Sequence, residues 1–242
     1  MKKTFFWMAA ALTALLVACP TPNPNPPSTG DTPNALSATI SAGANNFPEF
    51  GADSFYTKGT VTITSTSTNQ ISSAFRVIAV RQGQTPVPPS IGIGSFTSTP
   101  NNTVWDTSSV AEGQYSIQVD NSIASPSNVL SKIILIAVDR TAPAISSLEP
   151  LNAATMVSAG QQIVATLSEV IDPSALGGVT LTVNGSGATA TVVVGTGSQS
   201  AIIITPTVAI AAGAAVSVGL TGVKDRAGNT LASTPWSWTV QP

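Results

Sequence analysis

The chain has 242 residues, 43% of them hydrophobic and only 8% charged, with nine basic side chains, eleven acidic ones, one cysteine and no histidine. That length admits one large domain or two ordinary ones, and so little charge leaves Ser, Thr, Asn, Gln and Gly to wet the surface. The absence of a basic cluster excludes a nucleic-acid partner, the absence of histidine removes the commonest general base near neutral pH, and one cysteine excludes intrachain disulfides and thiolate metal sites alike.

Residues 1–18 follow the grammar of a signal peptide, with basic Lys2 and Lys3, an apolar middle from Phe5 to Leu16 and small Ala18 at the cut. The apolar run, about 14 residues before Pro20, is too short for a spanning helix, which needs about 20. Leu16-Val17-Ala18-Cys19 resembles a bacterial lipobox. The resemblance implies cleavage before Cys19, a diacylglyceryl thioether on its thiol and acylation of the new amine. Each buried methylene contributes about 0.8 kcal/mol, so two acyl signals anchor stably. Cleavage would remove Lys2 and Lys3 and leave seven basic against eleven acidic side chains. Pro20, and not the aspartate that signals inner-membrane retention in some bacteria, follows the cysteine; outer membrane or cell surface is therefore expected over the inner membrane. Residues 19–35 then form a proline-rich linker, denied helix and ladder hydrogen bonds by Pro20, Pro22, Pro24, Pro26, Pro27 and Pro33. In polyproline II, at about 3.1 Å per residue, it would reach roughly 45 Å.

Residues 36–139 read as a first all-β domain. Thr60-Val61-Thr62-Ile63-Thr64 alternates hydroxyl and β-branched apolar side chains, the pattern of a strand with one wet face and one dry face. Phe75 to Val80 and Ile133 to Val138 are more continuously apolar, while Pro86, Pro88, Pro89 and Gly92-Ile93-Gly94 suggest a long connection or an edge. Val104-Trp105-Asp106-Thr107, then Val110 to Tyr115 and a strand-like Ser116 to Asp120, resemble the later strands of bacterial immunoglobulin-like domains. In that setting Tyr115, just past a glycine turn at the start of a strand, is placed for a tyrosine corner.

Asp139-Arg140-Thr141-Ala142-Pro143 looks like the linker between tandem extracellular β-sandwich modules, and residues 140–242 form the second domain. Ile145 to Pro150, Gln162 to Glu169 and Ile171-Asp172-Pro173, together with Gly219 to Asn229 and the closing Trp236-Ser237-Trp238-Thr239-Val240, resemble the SbsA-type bacterial Ig-like domain. Where that family commonly carries a tyrosine in the strand after Gly213, this chain has Val216. Asp172 is expected to cap a helical turn opened by Pro173. Asp225, Gly228 and Asn229 suit a tight turn. Trp236, Trp238 and Val240 share one strand face at period two, which suits a core or an interdomain contact.

The expected architecture is thus two tandem immunoglobulin-like β-sandwiches behind a lipid-anchored linker, with no cofactor and no catalytic residues. An activated serine would need a lysine base, but Lys58, Lys132 and Lys224 lie in no Ser-x-x-Lys arrangement. Gly185 to Gly187 and Gly195 to Gly197 precede strands, so they are not phosphate loops. Glu169 and Asp172, three apart, suit turns better than a paired-carboxylate site. No metal is expected; if calcium bridged the domains, Asp139, Glu149 and Asp225 are the candidate carboxylates, against the 6 to 8 oxygens that ion takes. The implied role is structural, adhesive or protein-interacting, with the membrane and an envelope protein or polysaccharide as partners. Two alternatives stand beside it: a carbohydrate-binding module stacking sugars on Trp105, Trp236 or Trp238, and an accessory subunit of an envelope complex.

Overall fold

The computed structural model describes residues 36–47, 54–67, 75–83, 91–121, 134–196, 199–232 and 235–242. Cys19, the proline-rich linker, Pro86, Pro88, Pro89 and Lys132 lie outside them. Among the described residues every regular element is a strand, and no helix is long and apolar enough to cross a membrane.

Numbered in chain order, β1 (Leu36–Ala42), β4 (Val61–Ser67) and β7 (Asn101–Trp105) form one antiparallel sheet in the order β1-β4-β7. Facing it is a sheet of β2 (Asn45–Asn46), β3 (Ser54–Thr57), β9 (Ile134–Val138), β8 (Gly113–Asn121), β5 (Phe75–Arg81) and β6 (Ile91–Phe96), in the order β2-β3-β9-β8-β5-β6. Only β3 and β9 run parallel there. The alternation at Thr60–Thr64 does what period two demands: Val61 and Ile63 are fully buried, facing Val77, Ile117 and Ile136 across one hydrophobic core. Residues 91–96, whose glycines suggested an edge, do form the edge strand β6.

The second sandwich packs the sheet β10 (Ile145–Glu149), β11 (Ile163–Leu167), β15 (Ala201–Pro206) and β14 (Ala190–Val194), in the order β10-β11-β15-β14, against a second sheet. That sheet holds β13 (Ser186–Ala188), β12 (Val179–Val183), β16 (Ala215–Leu220) and β17 (Trp236–Thr239), in the order β13-β12-β16-β17. All of these pairings are antiparallel. Its core is separate from the first, built on Ile163, Ala165, Ile202, Ile204, Val216 and Val218, with Ile171, Val223 and Leu231 closing one pole. The sheets, the two cores and the antiparallel ladders make this an all-β protein of Ig-like sandwiches.

The three tryptophans offered as sugar platforms are core residues. Trp105, Trp236 and Trp238 expose 4%, 1% and 4% of their surface, which removes them as stacking platforms for a sugar ring. Trp105 packs edge-to-face on Tyr115 at 5.4 Å, while Trp236 and Trp238 lie 6.3 Å apart on the inner face of β17. Area burial explains all three. Asp172 caps the one turn that Pro173 opens: it accepts from the Ser174 N–H at 2.8 Å and the Ser174 hydroxyl at 2.7 Å, while Ala175 N returns to its carbonyl at 3.0 Å. This closes a single turn that does not continue as a helix.

Candidate functional site

The polar chemistry of the second sandwich converges on one pole, where it meets the first. β9 ends at Val138, and the Asp139 N–H donates to the Thr57 carbonyl at 2.9 Å, which carries the parallel β3–β9 pairing into the linker. Arg140 then turns back onto the first sandwich. Its guanidinium donates to the carbonyls of Thr107 at 2.9 Å and Val110 at 2.7 Å, and Nε lies 3.9 Å from Glu112 Oε1. Glu112 also accepts the Arg140 N–H at 2.8 Å and the Thr141 hydroxyl at 2.9 Å. The Thr141 hydroxyl first, then that N–H and the Arg140 charge, hold its carboxyl below the ordinary range. The linker is therefore stapled down along its first three residues.

From the second sandwich the segment Asp225–Asn229 reaches across. Asp225 accepts the Asn229 N–H and the Asn229 side-chain amide, both at 2.8 Å, and Gly228 occupies φ 88°, the conformation a glycine tolerates best. The turn so fixed presents three groups to the first sandwich. The Arg226 carbonyl accepts from Asn45 Nδ2 at 2.9 Å, the Gly228 carbonyl from Lys58 Nζ at 2.6 Å, and Asn229 Nδ2 donates to the Asp139 carbonyl at 3.1 Å. Arg226 itself is buried, its guanidinium 5.0 Å from the Phe47 ring centre and 5.6 Å from that of Tyr56, with a further hydrogen bond to Gln199 Oε1. A desolvated cation over two rings is worth about 2 kcal/mol or more.

Three carboxylates meet beside this lock. One oxygen each from Asp139, Glu169 and Asp225 lies within 4.8 Å of the other two, and Asp225 is only 1% exposed. Burial first, then the charges of Asp139 and Asp225 and a hydrogen bond to Asp139, push Glu169 up to about 7. Asp139 is raised as well, chiefly by burial and by the neighbouring acids, against the opposing Thr141 N–H. The arrangement can hold a proton between Glu169 and Asp139, or a divalent cation to which three carboxylates supply three to six of the roughly six to eight oxygens calcium takes.

The structure thus joins Asp139 and Asp225, as sequence reasoning proposed, but replaces Glu149 with Glu169. Glu149 sits at the far end of β10, paired in register with Val164 and hydrogen-bonded to Gln161 at 2.8 Å. Five residues of strand carry it about 17 Å from the junction, whereas β11 returns antiparallel and delivers Glu169 to that pole. The pairing of Ile145 with Leu167 is the register that does so; two consecutive antiparallel strands after a linker were a usable signal. Asp172 points its carboxylate at its own turn. None of the described cavities is lined by the three acids.

Residues 139–240 match the family model of the bacterial Ig-like domain. Among solved structures, the chain is similar to the N-terminal part of the bacterial S-layer protein SbsC, at 16% identity over 42% of this chain and 24% of that one, TM-score 0.33. It is similar also to the fibronectin(III)-like modules of Clostridium thermocellum CbhA, at 17% identity over 84% of this chain and 93% of that one, TM-score 0.36. The chain therefore spans about a quarter of the length of the first of these. A search of curated proteins finds no match.

Proposed function

We propose that the protein is a lipid-anchored, non-catalytic spacer and interaction module of the bacterial cell envelope, held at Cys19 and carrying two stacked sandwiches at the end of a proline-rich stalk. The observation that supports this reading most is the junction. Arg140 is tied to the first sandwich and Arg226 is clamped over Phe47 and Tyr56, so the modules meet pole to pole through a built contact and not through a free hinge. A module that transmits position needs that stiffness. The bacterial Ig-like match over residues 139–240 fits a structural or adhesive role, by analogy of fold. An outer-membrane or cell-surface location and an envelope protein or polysaccharide partner belong to the same proposal.

The anchor is tested by intact-mass measurement and membrane fractionation of the wild type against Cys19→Ala. Loss of the acyl mass and release from membranes are expected. Unchanged mass and unchanged retention would contradict the anchor.

A further inference from the structure

We propose that β14 is the contact strand of a symmetric dimer, in which two copies of this chain join the edges of their second sandwiches into one continuous sheet. This goes beyond the spacer reading and does not depend on the lipid.

Hydrogen-bond parity shows which groups of β14 are left over. Thr207 N donates to Thr189 O at 3.0 Å and Gly195 N to Ala201 O at 2.8 Å, in the same register that pairs Thr191 with Thr205 and Val193 with Ile203. Residues at this parity exchange their amide bonds with β15. Ala190, Val192 and Val194, at the opposite parity, turn their N–H and C=O groups away from β15, and no strand among the described residues lies on that side. The strand is preformed: the Thr189 and Thr207 hydroxyls bond each other at its start, and Gly195 N closes its end.

The other edges of this sandwich are managed. The outer side of β17 is taken by residues 153–157, with Ala153 N on Ser237 O at 2.7 Å, Thr239 N on Ala154 O at 3.0 Å and Val157 N on Thr239 O at 3.1 Å. β13 is three residues long and β10 ends in Glu149. β14, Ala-Thr-Val-Val-Val, carries no charge, no proline and no bulge, the devices that ordinarily keep an edge from pairing. Moreover, between Asp172 and Lys224 the sequence contains no Asp, Glu, Lys or Arg at all, so the whole flank that bears β14 is neutral.

A second copy fits this edge better than a foreign strand. The flank offers no charge by which to select a partner, and two copies of it meet without repulsion although the chain is net negative. The ladder is also self-complementary. About a two-fold axis at Val192, Val192 faces Val192 of the other copy and Ala190 faces Val194, so all three outward residues exchange both of their amide hydrogen bonds. On the outer face the exposed Val193 falls opposite Thr191 of the other copy.

The test is sedimentation of the full-length chain in detergent over a concentration series, with hydrogen exchange read on the same samples. Concentration-dependent dimerisation is expected, together with slowed exchange of the Ala190, Val192 and Val194 amides. Thr191→Lys combined with Val193→Lys sets ammonium groups opposite each other and should raise the dimer dissociation constant about tenfold or more, whereas Thr191→Glu combined with Val193→Lys sets opposite charges there and should restore association. Both positions are exposed, so circular dichroism melting should show both variants folded. A wild type that stays monomeric overturns the proposal. So does a dimer indifferent to both variants, or one that leaves those three amides unprotected, or capture of a foreign strand on β14 in place of a second copy.

Discussion

The two sandwiches reach the same architecture by different means. In the first, Tyr115 is fully buried yet its hydroxyl donates to the Ala111 carbonyl at 2.7 Å, next to Gly113 at φ 139°; a polar bond locks the corner and Trp105 packs against its ring. In the second, Val216 stands where the resemblance led one to expect a tyrosine, and it pairs directly across the ladder with Trp238. Apolar area alone closes that core. The second sandwich also places its charges unevenly: Lys224, Asp225, Arg226 and Glu169 gather at the junction pole, Glu149 stands at the far end of β10, and residues 173–223 carry none. A sandwich that spends most of its charges at one pole gains a lock there and leaves its flank without a guard.

The largest expected effect comes from breaking the apolar side of this comparison. Trp236→Ala should destabilise the second sandwich by about 3–5 kcal/mol, and calorimetry should then show it melting ahead of a first sandwich that keeps its near-ultraviolet signal; a single unsplit transition would contradict two separate cores. The polar side is gentler. Tyr115→Phe keeps the ring area and removes one hydrogen bond, leaving the Ala111 carbonyl without it, for a loss of about 1–3 kcal/mol in urea unfolding. A loss below a few tenths of a kcal/mol would show the corner to be ornamental.

The smallest effect concerns the acids. Glu169 and Asp139 hold their protons more tightly when folded than when unfolded. For Glu169 the cost of a buried charge, added to by Asp139 and Asp225, is therefore fully felt above about 7, is relieved as pH falls through that value, and has vanished below its ordinary 4.5. Melting temperature should rise between pH 8 and pH 5.5, and Glu169→Gln should flatten that rise. Calcium should flatten it too if it binds these carboxylates, while a chelator should leave the metal-free protein unchanged. A melting temperature that falls over the same range would reverse the assignment.

How much of this was legible depended on whether the signal was local. The alternation around Val61, the glycine-then-tyrosine at Gly113 and Tyr115, and the Asp225–Asn229 turn are properties of a few adjacent residues, and each folds as its pattern demands. The burial of Trp236 and Trp238 was legible too, since period two placed both on one face suited to a core or an interdomain contact, and it is the core that takes them. The acid cluster was not local. Glu149 and Glu169 carry the same charge and Glu149 is the nearer to the linker in sequence, yet the antiparallel return of β11 brings Glu169 back to it. The Arg226 clamp was hidden for the same reason, because Phe47 and Tyr56 lie in the other sandwich. Likewise, nothing in the sequence of β3 announces that it will pair in parallel with β9.

The stiffness of the junction is what the proposed role rests on, and a distance across it is the most direct measurement. Spin labels at Val104 and Leu151, both exposed and in different sandwiches, should give one narrow distance distribution in pulsed electron paramagnetic resonance, broadened by Arg226→Ala, which removes the cation over Phe47 and Tyr56. A distribution already broad in the wild type, and unchanged by that substitution, would mean that the two sandwiches swing freely and that the chain is no spacer.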